Sequence, residues 1–138
     1  MRKVNGPSCF TPFGLWMREF LRDSNNCEGG GLTATNIDYV LHDYQNKKIM
    51  ILEEKTKGGI IHYAQSETFK ILDKILYKYA KKFNLDYWGF YVLQFPPGKE
   101  LPCAGMRLNW NEITTEQLIK HMNFEEKFND SLYIMYPR

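Results

Sequence analysis

Apolar and polar positions along this chain keep two different periods, and the places where the period changes divide it into elements. Phe13, Trp16, Met17, Phe20 and Leu21 recur at helical spacing behind Thr11-Pro12, an N-cap followed by proline at the first helical position. The pattern predicts a helix that ends near Asp23, because Ser24–Gly31 brings two asparagines and three glycines. Asn36–Tyr44 is rich in strand formers, Gln45-Asn46 reads as a turn, and Lys48–Thr56 is a second strand that Lys57-Gly58-Gly59 closes. The two strands are expected to pair as an antiparallel hairpin.

Gln65–Phe83 is the clearest helix. Phe69, Leu72, Leu76, Tyr79, Ala80 and Phe83 share one face, and Lys70, Lys74, Lys78 and Lys81 share the other. The period predicts docking on a sheet through Phe69, Leu72, Leu76 and Phe83, with the lysines left in water. Tyr87–Phe95 is apolar almost throughout and reads as a central strand ending at Pro96-Pro97-Gly98. Met106–Trp110 is a short fourth strand. Thr114-Thr115-Glu116-Gln117 is a capping box opening a short helix to about Met122, and Leu132–Tyr136 is a last strand or a docked tail. The order α-β-β-α-β, then a peripheral strand and helix, predicts one mixed α/β domain over residues 1–138. Its core covers about 11–95, with a C-terminal extension over 96–138.

Composition narrows the class. The chain has 138 residues, 43% hydrophobic and 25% charged, enough for one packed core. No apolar run is long enough to span a bilayer, and residues 1–10 hold no apolar stretch of the signal-peptide kind. The expectation is a soluble cytoplasmic protein without a membrane partner. A net charge of +2 excludes binding to nucleic acid by bulk charge but permits a local basic face. Three scattered cysteines form no CxxC pair, which removes a zinc ribbon.

The chemistry concentrates at the end of the second strand, where Met50-Ile51-Leu52 runs into Glu53-Glu54-Lys55. Residues two apart on a strand share a side, so Glu53 and Lys55 project together and Glu54 projects the other way. Asp38, on the paired strand, can meet Glu53 across the hairpin. Two carboxylates beside a lysine suit a hard cation such as Mg²⁺, which takes one or two carboxylates and completes its shell with water and phosphate. The lysine can orient an attacking water or offset charge that builds up on phosphorus.

Asp38 on one strand, Glu53-x-Lys55 on the next, a helix before both and a long helix after them resemble the PD-(D/E)XK nuclease family, whose core runs α-β-β-β-α-β. The resemblance covers about Phe13 to Phe95, and small nuclease-like proteins of phages and prokaryotes are the most similar in overall pattern. It departs from the family in having Ile37 before the aspartate and in showing only two separable strands where three are usual. It implies a restriction-endonuclease-like fold and Mg²⁺- or Mn²⁺-dependent hydrolysis of nucleic acid, DNA before RNA, with a homodimer or larger complex expected. Asp38, Glu53 and Lys55 would be catalytic, with the Glu54 carbonyl as a further metal ligand. Gln65-Ser66-Glu67-Thr68-Phe69 matches a glutamine that many members carry at the head of the following helix, and Glu19 stands where a first-helix glutamate often does. The alternative is a catalytically silent binding or assembly protein on the same scaffold.

Several residues carry weaker expectations. Lys57, Thr35, Lys70 and Lys74 are candidate phosphate contacts, as are Thr33 and the arm residues Arg2 and Lys3. His42 shares the strand parity of Asp38, and His62 lies between Lys55 and Gln65, but both read as ordinary polar positions. Gly29-Gly30-Gly31 lacks the Gly-Lys-Ser/Thr of a P-loop and reads as a flexible loop.

Overall fold

In the computed structural model, which describes residues 11–22, 34–56, 58–98 and 102–133, the elements follow the expected order. They are α1 (Pro12–Arg22), β1 (Tyr39–Asp43), β2 (Lys48–Thr56), α2 (Tyr63–Tyr79), a 3₁₀ turn (Ala80–Phe83), β3 (Asp86–Phe95), β4 (Arg107–Leu108), β5 (Asn111–Glu112) and α3 (Thr115–Met122). The architecture is α+β around a five-stranded mixed sheet of order β1-β2-β3-β4-β5. Two units are distinguished. The first holds the described residues up to Asn36 together with Ile61–Phe69, and the second holds Ile37–Ile60 and the described residues from Lys70 onward.

In the first unit, α1 starts as its cap predicts: Thr11 Oγ1 accepts the Gly14 N–H at 2.9 Å. Its aromatic residues stack along the helix, Phe13 on Trp16 at 5.7 Å between centroids and Trp16 on Phe20 at 5.3 Å. The apolar face is largely uncovered, with Phe13 65% and Trp16 55% exposed. Periodicity reports that a helix is amphipathic, not what covers it. Gln65 and Phe69, in the first turns of α2, are both buried.

The second unit contains the whole sheet. β1 and β2 form the antiparallel hairpin. Asp43 Oδ1 accepts the N–H groups of Gln45 at 3.2 Å and Asn46 at 3.0 Å, which folds the turn. The Asn46 side-chain amide also bonds this carboxyl and, with the main-chain bonds, holds its pKa below the ordinary value. β2 and β3 run parallel, joined by the crossover that contains α2. One sheet face packs Met50, Leu52, Trp88, Tyr91 and Leu93 against Met106, Leu108, Ile113, Leu118 and Phe124. Half of that core comes from the extension beyond residue 95, so β4 and α3 do more than flank the sheet. The capping box of α3 is complete: Thr114 Oγ1 accepts from Gln117 N–H, and Gln117 Oε1 accepts from Thr114 N–H.

The opposite sheet face carries Ile51, Glu53, Lys55, Phe90, Val92 and Gln94, alternating with the residues of the first. The α2 residue Asp73, only 1% exposed, reaches β3 through its Oδ1, which accepts from the Tyr87 hydroxyl at 2.7 Å. Leu72 and Leu76 are half-buried, and Lys74 and Lys78 are exposed as the period required. Phe83 departs from the expectation, at 75% exposure. The helix tightens to 3₁₀ geometry at Ala80, turning about 120° per residue instead of about 100°, which carries position 83 out of the apolar stripe.

The strand expected over Met106–Trp110 is split. Asn109 and Trp110 both have positive φ, 47° and 67°, and turn the chain from β4 into β5. Where β4 stops, the exposed edge of β3 is completed by side chains and tail. Asn109 Oδ1 accepts from Val92 N–H at 2.7 Å, Ser131 Oγ from Phe90 N–H at 2.9 Å, and Phe90 O from Leu132 N–H at 2.8 Å. The tail can come this close because residue 89 is glycine. Its φ is +128°, and a Cβ there would lie 2.4 Å from Ser131 Cβ. The last strand or docked tail expected over Leu132–Tyr136 is thus a docked turn at Leu132 and Tyr133, and the rest of it lies outside the described residues.

Candidate functional site

The candidate site lies in the second unit, at the open end of the hairpin. The β1–β2 register pairs Tyr39 with Leu52, so the next rung outward brings Asp38 beside Glu53. Directly opposed residues of an antiparallel pair share a face. Asp38 N–H donates to Glu53 Oε2 at 3.4 Å, a long bond, and Glu54 N–H donates to Asp38 Oδ2 at 2.9 Å. One carboxylate therefore holds the backbone of the other's strand, in both directions. Glu53 is fully buried, Asp38 is half-buried, and Lys55 is 9% exposed on the same strand face as Glu53.

This answers the main structural expectation. Asp38 and Glu53 converge, with Lys55 one side-chain repeat further along β2. Glu54 pairs with Leu93 and so belongs to the other sheet face, as parity required, and its link to Asp38 runs through its main chain. The three residues sit where the parallel strands β2 and β3 end, the edge at which open α/β sheets present ligand sites.

A buried carboxylate such as Glu53 is stable as an ion only with hydrogen bonds or a cation near it. The oxygen donors of Asp38 and Glu53 are the type a hard divalent cation takes, and two carboxylates are what Mg²⁺ commonly draws from a protein. Among the described residues no group of three or more His, Cys, Asp or Glu side chains is placed to hold a metal ion. The donor set is thus two carboxylates, which fits a magnesium-type shell completed by water and substrate.

The other expected residues are distributed over both units. Glu19, exposed on α1, Thr35, half-buried in the coil before β1, and Gln65, buried at the third position of α2, all belong to the first unit. Lys74 is exposed on α2 and Lys70 is half-buried. His62 is exposed in the first unit. His42 pairs with Ile49 and shares the face of Asp38, but four residues along a strand place it about 13 Å away. Lys57, Arg2, Lys3, Thr33 and Gly29-Gly30-Gly31 lie outside the described residues.

Two further buried polar residues lie outside the set expected from the sequence. Asp73 stands four residues after Phe69 in the buried stripe of α2, and that spacing was a readable signal. Gln94 is 4% exposed and pairs with Lys55 in the parallel register. Finding it required the β2–β3 register, which no local pattern contains. A cleft of about 540 Å³ bordered by Lys47, Lys81 and Asp86 opens at the other end of the sheet from Lys55 and Gln94, and includes none of the candidate residues. No family model, no curated protein and no solved structure matches the chain.

Proposed function

We propose that the protein is a divalent-metal-dependent nuclease of PD-(D/E)XK type, hydrolysing phosphodiester bonds in nucleic acid, with DNA the favoured substrate. The observation that carries the reading is the convergence of Asp38 and Glu53 at the end of β2, with Lys55 buried on the same face. Asp38 and Glu53 would hold Mg²⁺ or Mn²⁺ with the help of the Glu54 carbonyl. When bound, such an ion polarises the phosphate and lowers the pKa of water. Lys55 orients the attacking water and offsets charge on the pentacovalent phosphorus. The hairpin bonds from Asp38 to Glu53 and Glu54 fix both carboxylates before substrate arrives, which is the preorganisation such catalysis needs. Gln65 and Glu19 enter this reading as supporting contacts through the family resemblance, Lys57, Thr35, Lys70 and Lys74 enter it as candidate phosphate contacts, and a homodimer would supply further recognition surface.

The test is a cleavage panel over single-stranded, duplex and branched DNA and over RNA, with Mg²⁺, Mn²⁺ or EDTA. The reading expects at least one substrate to be cut with either metal and none with EDTA. No cleavage of any substrate, together with no Mn²⁺ binding, would replace the nuclease reading with that of a binding protein on the same scaffold.

A further inference from the structure

Gln94 is the residue whose chemistry is left unused. It lies on β3 with a 4% exposed side chain, and its Oε1 is buried without a hydrogen-bond partner among the described residues. Buried side-chain oxygens are nearly always paired, so an orphaned acceptor marks either a cost in stability or a place kept for a donor that is not part of the protein. Its neighbours favour the second. In the parallel register Gln94 lies directly beside Lys55, and in the antiparallel register on its other side beside Arg107. Paired residues share a sheet face, so Lys55, Gln94 and Arg107 form one row across three strands, with Glu53 two residues back along β2. By strand spacing the Glu53 and Gln94 Cα atoms are about 8 Å apart, with both side chains on the same sheet face.

We infer that Gln94 is a positioning residue of the hydrolytic site: its Oε1 accepts a hydrogen bond from the attacking water and aims it at phosphorus from the β3 side, while the Lys55 ammonium donates a hydrogen bond to the same water from β2. The inference rests on the nuclease reading above. In the step it serves, the water oxygen forms the new P–O bond and the ester P–O bond breaks with its electron pair on the leaving oxygen. The water releases one proton to solvent and keeps the other as P–OH, and the leaving oxygen takes one proton from solvent. An acceptor is the group required here, because a water whose proton is held by Oε1 presents its lone pair to phosphorus. Glutamine supplies that acceptor without a third negative charge beside Asp38, Glu53 and a phosphodiester.

Gln94→Met keeps the length and bulk of the side chain and removes the acceptor. Gln94→Glu restores an acceptor. The experiment measures kcat and KM on the best substrate of the panel, Mn²⁺ affinity by calorimetry, and the thermal midpoint, for wild type and both variants. Expected for Gln94→Met are a kcat lower by about 10²-fold, the cost typical of a misplaced reacting group, with KM and Mn²⁺ affinity within about threefold of wild type and a thermal midpoint no lower. Gln94→Glu is expected to retain more kcat than Gln94→Met. A Gln94→Met protein that cleaves at the wild-type rate overturns the inference and leaves the nuclease reading intact. So does a loss of kcat matched by a fall in thermal midpoint in both variants. A wild type that neither binds Mn²⁺ nor cleaves overturns the nuclease reading, and the inference with it.

Discussion

His121 should make the C-terminal core acid-sensitive in a way that one substitution removes. The ring is fully buried in α3, edge-on to Tyr91 at 4.4 Å and to Trp88 at 5.6 Å. Its Nδ1 accepts from Phe128 N–H at 3.2 Å, and its Nε2 has no partner among the described residues. Burial, and secondarily the charge of Lys127, lowers its pKa from 6.5 to about 4. The folded protein therefore keeps the ring neutral down to about pH 4, while the unfolded chain takes up a proton already below 6.5. Unfolding binds that proton in between, so the contribution of His121 is fully present above pH 6.5 and is lost as pH falls toward 4. A shift of this size corresponds to about 3 kcal/mol at its limit, at about 1.4 kcal/mol per pH unit across the window. His121→Asn keeps an acceptor for Phe128 N–H but does not titrate. It loses ring packing and should be less stable than wild type at pH 7 by about 1–3 kcal/mol. Urea unfolding of both proteins at pH 7, 6, 5 and 4 reads the difference directly. The wild-type advantage should shrink, and reverse if the packing loss is small, by about 3 kcal/mol between pH 7 and 4. Stability curves that stay parallel would refute the assignment of a neutral, desolvated ring.

Gly89→Ala should destabilise the fold by about 3–5 kcal/mol, combining strain at φ +128° with loss of the Ser131 and Leu132 bonds to Phe90; urea denaturation of the variant measures it, and a loss under about 1 kcal/mol would show that the tail does not depend on this close approach. Glu53→Ala and Lys55→Ala should both cut cleavage by at least about 10²-fold. They should separate in calorimetry, with Mn²⁺ affinity falling for Glu53→Ala, which removes an oxygen ligand, and holding or rising for Lys55→Ala, which removes a neighbouring positive charge. Equal and unchanged Mn²⁺ binding in both, with normal cleavage, would make the strand end an ordinary ion-pair site.

The parts of the fold that were legible in the sequence are those set by neighbours along the chain. Lys48–Thr56 and the capping box at Thr114–Gln117 are where local pattern puts them, because alternation and capping are settled within a few residues. Asp38 and Glu53 could be paired in advance for a similar reason: a short hairpin turn fixes register, and register fixes faces. What was not legible depends on distant partners or on local geometry that overrides preference. The apolar stripe of α1 reads the same whether covered or bare. Trp110 at φ +67° is not a residue that announces a turn, so the break between β4 and β5 was hidden in an apparently continuous strand. Phe83 left the α2 stripe through a change of helix type that its sequence does not mark. Gln94 became visible only when the parallel pairing of β2 with β3 set it beside Lys55. Asp73 broke the apolar period of its helix, so the pattern itself offered it as a buried polar group.

Asp38→Asn separates the structural from the chemical duty of one carboxylate. The asparagine side-chain oxygen can still accept the Glu54 N–H now bonded to Asp38 Oδ2 at 2.9 Å, so the hairpin should keep its register. The negative charge is gone. Mn²⁺ titration calorimetry on wild type and Asp38→Asn, with circular dichroism on the same samples, is the measurement. Expected are matching spectra, Mn²⁺ binding by wild type, and affinity lower by at least about tenfold in the variant, a difference of about 1.4 kcal/mol. A wild type that binds no Mn²⁺, or a variant that binds it as tightly, would contradict the claim that Asp38 and Glu53 form a cation site.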